Sequence, residues 1–219
     1  MKVVCAISGQ GRTLANLIRL EQEPGSRFQI VGVISSAPNC PGNLLATQAG
    51  KDLWIGDFNR NALAATSQAM RSWLSVQSPD WVALCGFVKI FPIIPELARQ
   101  TINIHPALLP RHGGAGMYGS RVHQAVLHAK DEVSGATVHF VSERYDEGPI
   151  IAQAIVPVKE GESAESLENR VFAAECKLYP QVINMLADGL LPLGGGRVQR
   201  YEYDTLVGQL KKLRGEPSL

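Results

Sequence analysis

The 219-residue chain carries almost no net charge: 21 Lys and Arg against 20 Asp and Glu leave +1. A general electrostatic footprint for nucleic acid or a membrane surface is thereby excluded, and only a local basic patch stays open. Cysteine is scarce and scattered. Cys5, Cys40, Cys85 and Cys176 form no Cys-x-x-Cys pair, so neither a disulfide framework nor a cysteine zinc site is expected, and a reducing, cytoplasmic setting fits better. Cys5 and Cys85 sit inside apolar runs, where a free thiol behaves as a small hydrophobe. The first apolar run, residues 3–7, is too short for a signal peptide and passes directly into Ser8-Gly9-Gln10-Gly11. One uncharged stretch, residues 28–50, is long enough to cross a bilayer. Pro38, Pro41, Gly42 and the neighbouring Asn and Ser residues break it, so it reads as strand, loop and helix. Internal repeats and low-complexity tracts are missing too.

What remains is ordinary globular composition, 45% hydrophobic and 19% charged, which removes the disordered, collagen-like and coiled-coil classes. Short apolar runs alternate with helix-compatible segments. Strands are expected at 3–7, 28–34, 81–86, 101–105, 136–141 and 150–157, and helices at 13–23, 43–48, 61–76, 93–99, 121–129 and 164–186. Near-continuous apolar strands alternating with helices argue for an α/β fold, a mostly parallel sheet with helices on both faces. In such sheets the ligand lies beyond the carboxyl ends of the strands, where strand order reverses. Residues 1–193 are read as one catalytic domain, and 194–219 as a C-terminal extension, a last hairpin or a frayed tail.

Three polar motifs each follow an apolar strand. Ser8-Gly9-Gln10-Gly11-Arg12-Thr13 stands between a strand and a helix, where glycines permit a tight turn and helix-start amides can hold a phosphate. Its spacing is not Gly-x-Gly-x-x-Gly, and Ser35-Ser36 stand where a dinucleotide fold places its ribose-binding acid. Walker A fails for want of Gly-Lys-Ser/Thr. A plain turn without ligand is the competing reading. The second motif is Ile102-Asn103-Ile104-His105-Pro106. In an extended chain Asn103 and His105 share one face, and an amide beside an imidazole can hold an oxyanion and shuttle a proton. The competing reading is a capped strand end with a core histidine. The third is residues 135–151, a strand, a polar loop and Asp146-Glu147-Gly148-Pro149. Asp146 is placed to orient His105 and raise its pKa, or else simply forms the turn. His139 alternates with Val138 and Phe140 and reads as packing or as support behind the site. His112, His123 and His128 have no metal-ligand spacing, so no metal is expected.

Together with Cys85-Gly86-Phe87 and the run 103–110, these motifs resemble the phosphoribosylglycinamide formyltransferase family, the folate-dependent glycinamide ribonucleotide transformylases of purine biosynthesis. The likeness reaches from the first strand to about residue 191. It implies a Rossmann-like formyltransferase fold and transfer of formyl from the co-substrate 10-formyltetrahydrofolate to the amine of phosphoribosylglycinamide. Asn103 and protonated His105 would steady the oxyanion, with Asp146 supporting the imidazolium. Gly11, Arg12 and Thr13 would cradle the phosphate, and Phe172, Ala173, Ala174 and Glu175 would contact the glycinamide substrate. The folate would lie against Val88, Lys89, Ile90, Phe91, Asn103 and the loop Ser142, Glu143, Arg144, Tyr145, Asp146, with Arg60 a further contact. Two features depart from the family. Most relatives read Gly-Ser-Asn at Gly11-Arg12-Thr13, and the loop 112–119 is longer and richer in glycine, a mobile lid or a surface loop. Small-molecule partners only are expected, with no nucleic acid and no membrane, in a monomer or homodimer. The alternatives are the same chemistry on another amine, such as an amino-sugar nucleotide, and a non-catalytic nucleotide-binding module.

Overall fold

The computed structural model describes residues 1–190; the expected boundary at 193 and the tail 194–219 lie outside them. Five strands run parallel: β1 (Lys2–Ile7), β2 (Gln29–Ser35), β3 (Asp52–Ile55), β4 (Trp81–Leu84) and β5 (Thr101–His105). Two more, β6 (Val133–Phe140) and β7 (Ile150–Pro157), pair antiparallel at one edge, giving the order β3-β2-β1-β4-β5-β6-β7. Helices α1 (Arg12–Glu21), α2 (Pro41–Gln48), α3 (Leu63–Gln77), α4 (Ser120–His128) and α5 (Ala164–Ala187) cover the two faces. Strand order reverses between β1 and β4, which places a crevice beyond their carboxyl ends.

The central strands sort their side chains by alternation. Val3, Cys5 and Ile7 of β1 enter one core with Leu14, Leu17, Leu178 and Val182 from α1 and α5. Val4 and Ala6 enter the other, with Met70 and Leu74 of α3. On β5, Ile102 and Ile104 belong to the first core, which turns Asn103 and His105 to the opposite face. The cysteines are all free, three of them buried.

Two expectations fail locally. β3 was not expected; it is a four-residue edge strand, half-exposed, that lacks the buried run by which the others are recognised. The helix expected at 93–99 is a single 3₁₀ turn, Pro95–Leu97, because Pro95 holds Ile94 in extended backbone, φ −89° and ψ 119°, so no helix runs through it.

Helix α5 is the spine of the first core. Pro180 lies inside it and has no N–H for the Cys176 carbonyl. The Asn16 side chain of α1 donates to that carbonyl instead, at 2.8 Å, so the helix defect becomes an α1–α5 lock. Deeper, the fully buried Tyr179 hydroxyl is shared between the carbonyls of Leu84 and Ile102, at 3.1 and 3.2 Å. It ties α5 to the two strands that end at the crevice. Tyr179→Phe keeps the ring and removes this tie, so stability should fall by about 1–2 kcal/mol, read as a lower urea midpoint at unchanged slope.

Candidate active site

At the ends of β1, β4 and β5 lies a cavity of about 320 Å³. One end is the β1–α1 turn. Gly11, in the left-handed region at φ 74°, starts α1 without a side-chain cap, and no acid stands in the first turn. The first amides and the positive end of the helix dipole are therefore unspent. A Cβ on Gly11 would come within 3.0 Å of the Gly42 Cα, so the close approach of α2 reserves this position for glycine. Ser8, by contrast, is used internally: its Oγ meets Ser36 Oγ at 2.6 Å and accepts the Val88 amide at 3.0 Å.

At the other end, β5 delivers Asn103 and His105. The antiparallel register sets His139 of β6 opposite Asn103. The His139 Nδ1–H donates to the Phe140 carbonyl at 2.8 Å, so in the neutral ring Nε2 accepts from Asn103 Nδ2 at 3.1 Å. Asp146 closes the group. Its Oδ1 lies 3.5 Å from both Asn103 Nδ2 and His139 Nε2. Its Oδ2 lies 3.5 Å from His105 Nδ1 and accepts the Gly114 amide at 2.9 Å. The loop that carries Asp146 is shaped by backbone: Asp146 is itself left-handed at φ 57°, and a Cβ on Gly148 would sit 1.7 Å from the Phe140 carbonyl oxygen.

Burial works against the Asp146 charge, but the His139 ring, the neighbouring His105 and the Gly114 amide outweigh it and hold the carboxyl below its usual value. For His105 the balance goes the other way. Burial lowers its pKa; Asp146 and the His112 carbonyl raise it, and burial wins. The expected sign of the Asp146 effect is present, and burial outweighs it. A pKa below the ordinary value favours the neutral ring near pH 7, with its Nε2–H donated to the His112 carbonyl at 2.8 Å. Glu175, on α5, is buried in the same cavity and its pKa is pushed up to about 8, by burial first, against the Arg12 charge and with help from Glu168.

Of the residues singled out in sequence, Gly11, Arg12, Thr13, Val88, Asn103, His105, Tyr145, Asp146, Phe172 and Glu175 line the cavity. Lys89, Ile90, Phe91, Ser142, Glu143 and Arg144 line an adjoining cleft that shares Asn103, Tyr145 and Asp146 with it. Three are not brought in. Ala173 is exposed and Ala174 packs on the core, because a helix that turns Phe172 and Glu175 to the cavity turns the two between them away. Arg60 is exposed and lines neither space. Sequence reasoning missed Glu168 and His123, both in the cavity wall; the one usable signal was that Glu168 stands one helical turn before Phe172. Among the described residues no group of three His, Cys, Asp or Glu can hold a metal, and no helix is long and apolar enough to cross a membrane.

Residues 1–183 match the formyl transferase family model. The chain is 33% identical over 197 residues to phosphoribosylglycinamide formyltransferase of Escherichia coli, covering 88% of this chain and 90% of that protein. It is 39% identical over 202 residues to the trifunctional purine biosynthetic protein adenosine-3 of Bos taurus, covering 90% of this chain but spanning only 19% of that longer protein. The fold superposes on glycinamide ribonucleotide transformylase 1 of Symbiobacterium toebii with a TM-score of 0.78 at 33% identity, covering 92% and 94% of the two chains.

Two measurements test the electrostatics. The His105 ring, followed by NMR, should titrate below 6.5, and Asp146→Asn should move the midpoint further down, since the carboxylate raises it; no movement would separate the two groups. Glu175 binds its proton more tightly folded, at about 8, than at its ordinary 4.5. Its contribution to stability is full below the ordinary value and is lost as pH rises through about 8. In Glu175→Gln the urea midpoint should therefore fall less over that interval than in the parent chain.

Proposed function

The chain belongs to the formyl transferase family, and on that premise we propose that it transfers the formyl group of 10-formyltetrahydrofolate to the amine of phosphoribosylglycinamide. The observation that carries the reading is the meeting of Asn103, His105 and Asp146 at one end of a cavity whose other end is the uncapped start of α1. The two ends suit the two ends of such an acceptor: a phosphate for the amides of Arg12 and Thr13, an amine for the reacting centre. Phe172 and Glu175 wall the space between. At neutral pH a carboxyl titrating at about 8 is mostly protonated, so Glu175 offers the acceptor a donor as well as an acceptor of hydrogen bonds. The folate would occupy the adjoining cleft along Lys89, Ile90, Phe91 and the loop 142–146.

The amine nitrogen attacks the formyl carbon, and the carbonyl electrons move onto oxygen. Asn103 and the His105 Nε2–H are the donors for that oxyanion. The donor on His105 now rests on the neutral His112 carbonyl, and a charged acceptor makes the stronger bond, so the exchange is favoured only as charge develops. The proton shed by the attacking nitrogen has a place on His105 Nδ1, which faces Asp146. As the adduct collapses, the bond to the folate nitrogen breaks and that nitrogen takes the proton. We place the reaction in the cytosol, a reducing setting that suits four free thiols.

The assay combines purified chain, 10-formyltetrahydrofolate and phosphoribosylglycinamide and follows tetrahydrofolate release. Asn103→Ala and Asp146→Asn should each lower kcat by about 10²–10³ with little loss of folding. Turnover with another amine only would move the acceptor assignment, and undiminished turnover in both variants would remove the cluster from the chemistry.

A further inference from the structure

His123 is the residue that the reading above leaves without a task. It sits in the first half of α4, lines the main cavity and is 1% exposed. Its Nδ1 is buried with no hydrogen-bond partner among the described residues, one of three such side-chain atoms. A buried ring nitrogen left unpaired costs about 1–3 kcal/mol and calls for a physical reason. Position supplies one: the ring shares the cavity wall with Glu168 of α5, whose pairing with Arg12 marks the α1 end, and α4 packs against α5.

At that end Glu168 already holds a second group. Its Oε1 pairs with Arg12 Nη1 at 3.1 Å, and the Arg12 guanidinium lies 3.8 Å over the Phe172 ring. Stacking and pairing fix the plane of the guanidinium. Glu168 takes one of its five N–H donors, and Arg12 makes no other side-chain hydrogen bond among the described residues. Arg12 is also the first residue of α1, so its side chain and the uncapped amides flank the same entrance. Among the described residues Arg12 is the one lysine or arginine in the cavity wall.

We propose that His123 is a recognition residue for the phosphate monoester of the acceptor, closing on it from α4 while Arg12, positioned by Phe172 and Glu168, closes from α1. This rests on the acceptor assigned above. The phosphate would be held from three elements: amides at the start of α1, a stacked guanidinium, and an imidazole with an unpartnered ring nitrogen. Glu168 is the positioning residue of the clamp, since it acts on both side chains and touches neither amide.

The test compares the parent chain with His123→Leu and His123→Asn, the latter retaining a polar side chain. A lost hydrogen bond to a charged group corresponds to about a tenfold loss or more. His123→Leu should lower kcat/KM for phosphoribosylglycinamide by about that factor, with the loss in the acceptor KM, while the KM for 10-formyltetrahydrofolate stays put. With the dephosphorylated acceptor the same substitution should change kcat/KM less than about twofold, because the group that His123 reads is gone. His123→Asn should recover part of the loss. Calorimetric binding of ribose 5-phosphate reports independently of turnover and should weaken in His123→Leu. If the chain forms no formyl product with this amine, the acceptor assignment fails, and the ribose 5-phosphate arm still decides the clamp. Equal losses with and without the phosphate, a loss confined to kcat, or ribose 5-phosphate binding unchanged in His123→Leu would each overturn it. Should His123→Leu not fold, the imidazole resonances of the parent chain, assigned through His123→Asn, must shift with ribose 5-phosphate; a His123 ring that does not respond overturns the proposal equally.

Discussion

A single buried carboxylate organises the site. Asp146 is reached by groups from three directions: His105 of β5, His139 of β6 and the Gly114 amide of the glycine-rich loop. A charge in a poorly hydrated place persists only when paired and hydrogen-bonded, and here the partners outweigh burial. The backbone around Asp146 makes this possible. The left-handed turn at Asp146 and the missing Cβ of Gly148, which would meet the Phe140 carbonyl oxygen, let the loop fold back over the end of β6. Because β5 and β6 are antiparallel, Asn103 and His139 stand opposite one another beneath it. The two antiparallel strands at the edge of an otherwise parallel sheet are thus what bring an acid 41 residues beyond the histidine, 146 less 105, into its neighbourhood.

The cavity holds a second acid with the opposite fate. Asp146 is drawn below its usual value while Glu175 is pushed up to about 8. The difference is one of partners: Asp146 has two histidines and an amide, whereas Glu175 is buried with the nearest favourable charge, Arg12, already committed to Glu168. Two carboxyls whose surroundings separate their titrations can serve as anion and as neutral acid in one space. The Arg12–Glu168 pair consequently has an electrostatic reach beyond its own contact, because loosening it would alter the charge felt by both Glu175 and His123.

Much of this was legible in the sequence, for identifiable reasons. The strands 101–105 and 150–157 coincide with β5 and β7, since buried strands announce themselves as apolar runs with clear stops. The shared face of Asn103 and His105 follows from the period of two alone. The sheet edge β3 stayed hidden because an edge strand need not be apolar throughout. In the site, what stayed hidden was tertiary. His139, read as packing or support behind the site, gains its partner from the strand opposite; Glu168 and His123 meet where α4 and α5 pack, which no local pattern encodes. Ala173 and Ala174 were included by treating a helical segment as contiguous, although at 3.6 residues per turn a cavity sees only one side of it. The upward pull of Asp146 on His105 could be read from the motif, while the burial that outweighs it could not.

The glycine-rich loop then acquires a definite place in the chemistry. Its His112 faces two ways: the carbonyl accepts from His105 Nε2, and the ring meets Asp131, just beyond α4, at 2.6 Å. Asp131 also binds Arg111 at 2.6 Å, so the start of the loop is anchored from outside the site. Two residues on, the Gly114 amide donates to Asp146. The loop therefore touches both partners of the His105–Asp146 pair, donating to the acid and accepting from the base. Any displacement of it removes a donor that keeps Asp146 ionised and an acceptor that fixes the His105 tautomer. The passage at Gly113 is close: a Cβ there would come within 2.5 Å of Leu109 Cδ2, the movable end of a side chain, and 3.1 Å of Asp146 Cβ. Loop conformation and the protonation of the central pair are on this geometry one coupled equilibrium, and a ligand that contacts either must bias both.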